Sequence, residues 1–376
     1  MKVLVIDSSG KIPFYDNSLC NALCKEELEL TLLSPFNQAE IYEVNYRFKR
    51  LIKIPKGLNR VVNKVLKPII GLINYIYIIG IIGEGKYDVI HFQWLPFLEY
   101  ISIEKWFLIV YRAISSRSRF VLTQHNLYPH NSSEHAKQLY CKRMLGIKAK
   151  FDHFILHTES SKKAFCEEFK VDESLVSVVY HGVFLPDSMP IRNTNCSQER
   201  VLMFGIQSYY KGTDILVDAV ALLPEDIRNK FDVTIAGSTE GQLLAGKCQS
   251  AEKNGITWIS RYIEDDELNQ LIVDSDILVL PYRAISQSGV LLQALPYKKH
   301  IIASDLPSFR ETLKGYPEEC FFKVGSAESL AKSLTDYING KVDKKIEMMA
   351  NQELLECYSW STSAKNTRDL YRKLLN

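Results

Sequence analysis

The chain has 376 residues, 46% hydrophobic and 24% charged, which is the balance of a globular protein with more than one domain. Its net charge of +2 is too small to favour nucleic acid as the main partner. The eight cysteines form no C-x-x-C pair and no cluster with histidines, and no secretory signal is recognisable, so we expect a reduced, cytoplasmic protein.

Short apolar runs alternate with helix-length segments along the chain. Most runs are continuous stretches of Val, Ile, Leu and Phe, which is typical of strands buried on both faces of a parallel sheet. Such an alternation predicts βαβ units, and hence an α/β fold with two Rossmann-like domains. The predicted strands are Val3–Ile6, Leu30–Leu33, Val89–Phe92, Phe120–Thr123, His153–Leu156, Val176–Tyr180, Val201–Phe204, Val233–Ala236, Ile256–Ile259, Ile277–Leu280, His300–Ala303 and Phe321–Lys323.

Residues 186–199 interrupt the alternation with two prolines and many polar residues, so we interpret them as the interdomain linker. The linker separates an N-terminal domain at 1–185 from a C-terminal domain at 200–355. The remaining segment, 356–376, is predicted to be helical and could pack back on the N-terminal domain.

Residues 47–83 stand apart within the N-terminal domain. Eight basic residues and no acid lie between Arg47 and Lys67, and an uncharged apolar stretch follows at 68–83. For the basic run alone, the simplest interpretation is a solvent-exposed face of the domain without a binding role. A buried helix and a basic, amphipathic membrane-surface patch are both open interpretations of the region. A membrane span is less favoured, because the stretch is shorter than the roughly 20 residues that a bilayer requires.

Polar residues follow the predicted strands of the N-terminal domain, where ligands bind in open α/β sheets. His125 can act in acid–base chemistry or bind a sugar hydroxyl, and Asn126 can bridge donors and acceptors. The alternative for His125 is a loop histidine that caps a helix, and this alternative is favoured for His130.

Two further sets at strand ends are candidates for acceptor or cleft contacts. His91 and Gln93 end one strand beside Trp94, and a packing cluster explains them equally well. His181 and Gly182 follow the last predicted strand of the domain, next to the linker, where we expect them to face the interdomain cleft.

Two loops of the C-terminal domain are predicted to bind an anion. Gly205 ends the first strand there, and Lys211 and Gly212 directly precede a helix that begins at Thr213. The second loop, 286–289, leads into another helix, whose unpaired N–H groups and dipole favour a phosphate. An ordinary βαβ unit with a capped helix remains the alternative. Gly237 ends a neighbouring strand of the same domain.

Five segments in this order resemble the family 4 glycosyltransferases, a large retaining group, above all the bacterial polysaccharide and glycolipid branch: FVLTQHNLYPH, FILHTESSKKAF, VVYHGVF, VLMFGIQSYYKGTDILVDA and LVLPYRAISQSGVLLQALPYKKHIIASDLPSFRE. The resemblance extends from about Lys2 to Tyr371. It implies the GT-B fold, in which two Rossmann-like domains face each other across a cleft. It also implies a UDP- or GDP-sugar donor, a lipid-linked or saccharide acceptor, and a cytoplasmic enzyme bound peripherally to the anionic inner face of the plasma membrane. The products would be a capsule, O-antigen or exopolysaccharide.

The resemblance further implies roles for individual residues. Lys211 would contact the donor diphosphate, the amides of Ser288 and Gly289 would meet the phosphates, and His125 would face the donor sugar. His181 and Gly182 would form the hinge. The family typically requires no metal, so no cofactor besides the donor is expected.

Three positions depart from the family pattern. The family has two glutamates with seven residues between them, and the matching positions here are Ile285 and Gln293. The family also has an arginine before its Lys-Gly motif, which is Lys211-Gly212 here, and the position of that arginine is Ile206. Contacts to the donor sugar or nucleotide are therefore expected from a wider set of candidates, namely Gln287, Gln293, Ser286, Gly237 and Tyr262. Two other functions stay open: a catalytically silent donor-binding or scaffold subunit of a polysaccharide assembly complex, and an epimerase or phosphorylase on the same fold.

Overall fold

The structure is a computed structural model, and it describes residues 1–10, 12–36, 44–53, 55, 59–129, 132–186, 188–193, 197–240 and 245–376. Lys56 and His130 lie outside the described residues, as do the side chains of Arg60 and Lys64.

The chain divides into two compact units. Unit 1 comprises Met1–Gly182 and Ser359–Asn376, and unit 2 comprises Val183–Tyr358. The first division falls three residues before the predicted boundary at 185, and the C-terminal helix belongs to unit 1. The two ends of unit 2 lie side by side, because the Val183 N–H donates to the Tyr358 carbonyl at 2.6 Å.

Unit 1 is built on a seven-stranded parallel sheet with the order β3-β2-β1-β4-β5-β6-β7. Its strands are β1 (Lys2–Asp7), β2 (Glu29–Ser34), β3 (Arg47–Arg50), β4 (Val89–Trp94), β5 (Arg119–Thr123), β6 (His153–Leu156) and β7 (Val176–Val178). Its helices are α1 (Pro13–Cys24), α2 (Arg60–Gly85), α3 (Ile103–Ile114), α4 (Glu134–Ile147), α5 (Glu159–Phe169) and the C-terminal α14 (Trp360–Leu375).

Unit 2 contains a six-stranded parallel sheet with the order β10-β9-β8-β11-β12-β13. Its strands are β8 (Glu199–Phe204), β9 (Phe231–Ala236), β10 (Thr257–Ile259), β11 (Ile277–Leu280), β12 (His300–Ser304) and β13 (Phe321–Phe322). Its helices are α6 (Thr213–Leu222), α7 (Glu225–Arg228), α8 (Ala245–Lys253), α9 (Asp265–Asp274), α10 (Gly289–Ala294), α11 (Pro307–Thr312), α12 (Ala327–Ile338) and α13 (Lys344–Cys357). The predicted α/β class with two Rossmann-like domains is confirmed.

Both sheets reverse their strand order beside the first strand of the unit. The reversal lies between β1 and β4 in unit 1 and between β8 and β11 in unit 2. In open α/β sheets the loops at this point part in opposite directions and leave a crevice at the carboxyl ends of the strands. The loops after these four strands are therefore where each unit has room for a ligand.

The core of unit 1 has two apolar layers, one on each face of its sheet. Leu4 and Ile6 of β1 pack with residues of α2, α3, α4 and α5. Val3 and Val5 of the same strand pack with residues of α1 and α14. Because side chains alternate along a strand, a continuous apolar run supplies both layers, which is why these strands lack a polar side.

The first part of the basic run at 47–67 is a strand, which the sequence analysis did not predict. Arg47–Arg50 is the edge strand β3, paired in parallel with β2. Arg47 lies 3.2 Å from Glu29. The strand was not predicted because RFKR lacks an apolar run, although charged side chains are a usual feature of edge strands, where they discourage pairing with other chains.

Helix α2 is longer than the predicted apolar stretch and is buried on one face only. Asn59 caps it by accepting a hydrogen bond from the Val62 N–H at 2.8 Å. Tyr75, Ile78 and Ile82 are buried in the core of unit 1. By length and composition the segment Val65–Gly85 could cross a membrane, with a mean hydropathy of 2.0 and 28% of its window buried. The helix therefore has a buried side, as the interpretation of a buried helix requires, and an exposed apolar side, as the interpretation of a membrane-surface patch requires.

Candidate functional site

The loop after β8 is built on glycines that allow close backbone approach. Gly205 and Gly237 have φ angles of +98° and +137°, and a Cβ atom at 237 would lie 2.0 Å from the Gly205 carbonyl oxygen. Gly212, with a φ of +70°, leaves no room for a Cβ beside the Pro281 carbonyl, which would be 1.8 Å away. Side chains with a Cβ are excluded at these positions, so the turn depends on glycine.

Lys211 is held inside this turn, in a 3-10 turn directly before α6. The residue is only 7% exposed, and its Nζ makes no hydrogen bond or ion pair with any described residue. Burial lowers the pKa of Lys211 to about 8. A Cβ atom at 205 would lie 2.7 Å from Nζ, so Gly205 also makes the space for the ammonium group. A buried ammonium without an acceptor is costly, which favours an anionic ligand at this point.

Arg283 joins the loop after β11 to the loop after β8. Its guanidinium forms a two-pronged ion pair with Asp214 at 2.7 and 2.8 Å. The same group donates to the Tyr209 carbonyl at 2.7 Å, and the Arg283 N–H donates to the Tyr210 carbonyl at 2.7 Å. These bonds hold the turn that carries Lys211 against the second loop, although nothing in the sequence separated Arg283 from other arginines.

The second loop leads into α10, which has only six residues, so its dipole is smaller than we expected. Ser288 accepts a hydrogen bond from the Leu291 N–H at 3.1 Å and is the N-cap of the helix. Its oxygen accepts this bond while its O–H can still donate, and the first backbone N–H groups of the helix, which begin at Gly289, add further donors. The Gln287 amide nitrogen is buried without a hydrogen-bond partner among the described residues.

The other donor candidates lie at the same edge of the unit 2 sheet but differ in exposure. Gln293 is half-buried within α10, and Ser286 precedes that helix in the loop. Tyr262 is 66% exposed and follows β10, two strands from β8, or about 10 Å along the sheet. At Ile285, where the family has a glutamate, the carbonyl accepts a hydrogen bond from the Ser308 hydroxyl.

In unit 1, His125 is surrounded by polar and aromatic side chains after β5. Its Nδ1 lies 3.2 Å from Nε2 of His157, and its Nε2 lies 3.1 Å from Oε1 of Gln93. The Trp94 ring stacks on the imidazole with centroids 4.5 Å apart, and Tyr15 meets it edge-on at 4.8 Å. The predicted residue is thus contacted by four neighbours on three elements, namely β4, the loop after β6 and α1.

The hydrogen bonds fix the tautomer of His125. The Val179 carbonyl can only accept, so Nδ1 of His157, at 2.8 Å, carries a proton. Burial lowers the pKa of His157 to about 4, so the ring is neutral at pH 7 and its Nε2 accepts. His125 must then donate from Nδ1, which leaves Nε2 as the acceptor when the ring is neutral. Rotating the Gln93 amide by a half-turn exchanges its oxygen and nitrogen, so that the nitrogen, which has no partner, would donate to Nε2 of His125.

His91 does not face an acceptor, contrary to one of the two interpretations of its position. Its ring nitrogens lie 2.6 Å from the hydroxyls of Tyr371 and Thr123, and the side chain is fully buried. Burial, together with the nearby His157, lowers the pKa of His91 to about 3. His91 therefore ties the C-terminal helix α14 to the sheet.

His181 and Gly182 also pack inside unit 1. The His181 ring lies 4.9 Å from the Trp360 ring and 4.7 Å from that of Tyr15. A Cβ atom at 182 would lie 2.4 Å from Trp360, so glycine is required for this approach. Asn126, the remaining candidate, is half-buried, and its carbonyl accepts a hydrogen bond from the Gln124 amide at 2.5 Å.

Among the described residues, one group of three potential metal ligands is present: His300, Cys320 and Glu347, all buried. Glu347 already accepts hydrogen bonds from Nδ1 of His300 at 2.8 Å and from the Ile301 N–H at 3.1 Å. The group lies at the start of β12 rather than at its carboxyl end. It is therefore separate from the loops that surround Lys211.

Sequence reasoning missed His157, Trp94 and Arg283 as site residues. His157 follows the predicted strand His153–Leu156 and precedes Thr158, the N-cap of α5, and it was given no role of its own in the sequence analysis. Trp94 was noted beside Gln93, but its stacking on His125 depends on the adjacency of β4 and β5. A histidine at the end of each of two adjacent predicted strands was the one signal available for His157.

Comparisons with known proteins show the family of the chain. Residues 198–339 match the family model of glycosyl transferases group 1, and residues 17–185 match that of glycosyltransferase family 4. An uncharacterised glycosyltransferase of Methanocaldococcus jannaschii is 22% identical over 310 residues, covering 78% of this chain and 77% of the relative. A GDP-mannose:glycolipid 4-beta-D-mannosyltransferase of Xanthomonas campestris pv. campestris is 21% identical over 227 residues, covering 58% of this chain and 62% of the relative.

The fold has solved counterparts as well. The crystal structure of Anabaena HepE in complex with UDP and glucose superposes with a TM-score of 0.71 at 16% identity, covering 99% of this chain and 100% of HepE. The two family models together account for most of the chain, in the order in which its two Rossmann-like domains occur. The chain therefore belongs to the family 4 glycosyltransferases of the GT-B fold, and it is a glycosyltransferase.

Proposed function

We propose that this glycosyltransferase moves a hexosyl group from a UDP- or GDP-sugar to a lipid-linked or saccharide acceptor in the synthesis of a bacterial cell-surface polysaccharide. One observation carries the donor assignment, namely the buried Lys211 ammonium, which has no acceptor among the described residues. A diphosphate supplies the missing negative charge. The bound form of HepE contains UDP, and the Xanthomonas relative is named for GDP-mannose, so both bases belong in the donor screen.

Charge on the departing diphosphate is offset by two sources in unit 2. Lys211 contributes an ammonium, and the start of α10 contributes backbone N–H groups that have no partner within the helix. Both are fixed before the donor binds, because Arg283 holds the two loops together. Preorganised donors of this kind stabilise charge that develops as the sugar leaves.

These groups also support transfer without a metal. Lys211 and the amides take the place that a divalent cation occupies on a nucleotide diphosphate in other enzymes. Transfer that continues unchanged in excess EDTA would agree with the proposal. Activity that EDTA abolishes and one divalent cation restores would contradict it.

We propose retention of the anomeric configuration, the outcome typical of the family. Neither Ile285 nor Gln293 can ionise, so contacts to the donor hydroxyls fall to neutral groups. The Gln287 amide nitrogen, buried and unpartnered, is the best placed, with Gln293 second. Proton NMR of the product formed from an α-linked donor gives the outcome directly, and a β-linked product would contradict retention. Gln293→Ala with unchanged donor KM and kcat would remove Gln293 from this role.

His125 would face the donor sugar, with its ring held by His157 and stacked on Trp94. Because Nδ1 donates to His157, Nε2 is the atom that can accept a hydrogen bond from a sugar hydroxyl, and the orientation of the ring does not depend on the ligand. His125→Ala should therefore reduce turnover more than donor affinity.

The acceptor proposed is lipid-linked, which would place the enzyme on the inner face of the plasma membrane. The exposed apolar side of α2 supports this location, and the Xanthomonas relative is named for a glycolipid acceptor. A catalytically silent donor-binding subunit is the second candidate function, motivated by the absence of an acid at Ile285 and Gln293.

One assay separates these functions. Purified protein is incubated with each common UDP- and GDP-sugar, with and without a lipid-linked acceptor fraction, and free nucleoside diphosphate is measured. The transferase predicts release from one donor only when acceptor is present. Binding of a nucleotide without any release would favour the silent subunit, and sugar interconversion without acceptor would favour an epimerase.

A further inference from the structure

Helix α3 exposes an apolar face that the described residues do not cover. Trp106 is 68% exposed, the largest exposure among the exposed large hydrophobic side chains of this helix, and Ile109, Val110 and Ile114 are exposed beside it. The opposite side of the helix, with Leu108 and Tyr111, is buried in unit 1. Large contiguous apolar surfaces are rare on soluble monomers and usually mark an interaction site.

Helix α2 continues this face. Its exposed side carries apolar residues at helical spacing, namely Val65, Ile69, Leu72, Ile73, Ile76 and Tyr77. The two helices pack together through Tyr75 of α2, whose hydroxyl donates to Glu104 at 3.3 Å and whose ring stacks on Phe107 at 4.9 Å. Since both helices bury one side on the same layer of the core, their outer sides face the same solvent region.

The third component is a groove between α3 and α4 that combines apolar and basic residues. Trp106 and Leu139 line it together with Lys105, Lys142 and Arg143. Arg143 is held by its hydrogen bonds to the Leu98 and Glu99 carbonyls at 3.3 and 2.9 Å. Lys105 and Lys142 make no ion pair or hydrogen bond with any described residue, so their charges are available to a partner.

Acids are few on this surface, and the one acid of α2, Glu84, is exposed one residue before the end of the helix. Glu104, the only acid of α3, is buried, and Glu134 at the start of α4 pairs with Lys137 at 3.4 Å. The exposed residues from 101 to 117 include Lys105 and Arg117 but no carboxylate. A partner with negative charge at its surface and hydrocarbon below it fits this composition.

We propose that α2, α3 and α4 form a membrane-docking face, with the groove at Lys105, Lys142 and Arg143 taking the phosphate of an anionic phospholipid. Trp106 then lies at the level of the headgroups, where indole rings are favoured, and the apolar side chains of α2 and α3 enter the acyl boundary. The inference deepens the proposed membrane location but does not depend on the transfer chemistry. The proposed contact does not include the edge strand β3, which forms the first part of the 47–67 run.

Spanning of the bilayer by α2 is not part of the proposal. Asn74 of α2 exchanges two hydrogen bonds with the backbone of Ile52, at 2.9 and 3.0 Å. Tyr75, Ile78 and Ile82 belong to the core of unit 1. A spanning helix would have to give up these contacts, whereas docking in the membrane plane retains them.

The test uses full-length protein and vesicles of phosphatidylcholine alone or with 30 mole per cent phosphatidylglycerol, a composition of roughly the anionic content that attracts basic surfaces. The wild type is expected to sediment with the anionic vesicles and to show a blue shift in tryptophan fluorescence. The Lys105→Glu/Lys142→Glu variant should bind them at least about tenfold more weakly, and Trp106→Ser should remove most of the blue shift.

The matched control is Lys253→Glu/Lys345→Glu, which reverses two exposed lysines of unit 2 and should bind like the wild type. Melting temperatures equal to that of the wild type establish that the surface variants are folded. Equal vesicle binding by the wild type and Lys105→Glu/Lys142→Glu would overturn the phosphate groove. Absence of any vesicle binding, or a concentration-dependent dimer that Trp106→Ser dissociates, would overturn the docking face. The vesicle assay contains neither sugar donor nor acceptor, so its result does not depend on transfer activity. Lys211→Met should therefore bind vesicles like the wild type.

Discussion

The two sheets have equivalent strand orders, but the residues at the carboxyl ends of their strands differ in chemical character. The edge of unit 1 is packed with rings, in which His125, His157 and His181 surround Tyr15. The edge of unit 2 is made of glycine turns around one buried lysine. In the first arrangement burial lowers the pKa of His157 and His181, and in the second the Lys211 ammonium lies 5.6 Å from the Tyr282 ring centroid and has no hydrogen-bond acceptor among the described residues. One fold can therefore supply a rigid, neutral wall in one unit and an anion site in another, depending on which residues follow its strands.

The largest expected difference between the two units is in how much stability each loses at acid pH. Burial lowers the pKa of four histidines of unit 1, to about 3 for His91 and His181 and to about 4 for His153 and His157. As the pH falls below 6.5, the unfolded chain takes up protons while these buried rings stay neutral, so stability is lost with decreasing pH. Between pH 6.5 and 5 unit 1 should lose about 1–2 kcal/mol for each such histidine.

Differential scanning calorimetry at pH 7 and pH 5 measures this loss. Unit 2, whose one histidine is His300, should change much less. His91→Gln should reduce the acid sensitivity of unit 1, whereas replacement of the exposed His135 by Asn should leave it unchanged. Equal shifts of both units would show that the buried histidines do not control the acid response.

The next effect concerns the unpaired charge of unit 2. Lys211→Met removes the buried ammonium and should raise the free energy of unfolding of the unliganded protein by about 1–3 kcal/mol. The pKa of Lys211 in the folded protein is about 8, below its ordinary 10.5, so the destabilisation is complete below pH 8 and disappears as the pH rises towards 10.5. The gain from Lys211→Met should therefore shrink over that range.

Thermal unfolding of the two proteins between pH 7 and pH 10 provides the measurement. Lys230→Met, at an exposed lysine of the same unit, is the control and should change the melting temperature little. A variant that is less stable than the wild type at pH 7 would mean that the Lys211 ammonium is already compensated within the protein.

A smaller effect tests whether the ring cluster of unit 1 orients His125. His157→Ala should lower kcat about tenfold and change the donor KM less than about twofold, because the acceptor for the His125 Nδ1 proton is lost. His157→Asn should recover most of the activity, since an amide oxygen can accept the same proton. Steady-state kinetics of both variants gives the comparison.

His153→Asn serves as the matched control for this pair. His153 is also buried, but its Nε2 lies 2.8 Å from the Ser177 hydroxyl and it does not contact His125. A similar fall in kcat for the His153 and His157 variants would reduce the role of His157 to general packing.

The smallest effect concerns the connection between the two loops of unit 2. Arg283→Lys keeps the charge but loses the two-pronged contact with Asp214, so the donor KM should rise about fivefold with little change in kcat. Arg310→Lys is the control, because Arg310 binds Asp305 and Glu318 on the surface in a similar way. An unchanged donor KM in Arg283→Lys would show that the loops keep their arrangement without it.

The sequence predicted the parts of the fold that have local signals. β11 and β12 are continuous apolar runs, and most of the segment 356–376, which was predicted to be helical, is α14. β3 was missed because its stability comes from pairing with β2 rather than from apolar side chains. The length of α2 was underestimated because its first turns are polar.

In the candidate site, too, the sequence predicted only the residues that have a local pattern. Lys211 and Gly205 were identified because a glycine at a strand end and a lysine directly before a helix are typical of an anion-binding turn. The role of His157 depends on the Val179 carbonyl, and that of Arg283 on Asp214, which is 69 residues away in the chain. His91 looked like a ligand residue at a strand end, but a tyrosine 280 residues later occupies its ring nitrogen. Long-range partners of this kind leave no pattern in a single sequence.

The most direct test of the donor site is a calorimetric titration of UDP and GDP into the wild type and Lys211→Met, with EDTA in the buffer. We expect one nucleoside diphosphate to bind the wild type without metal. Lys211→Met should bind it about 100-fold more weakly, as expected for the loss of a charge-assisted contact to the diphosphate. Equal affinity of the two proteins, or no binding of either nucleotide to a folded wild type, would contradict the assignment of the donor site to the Lys211 loop.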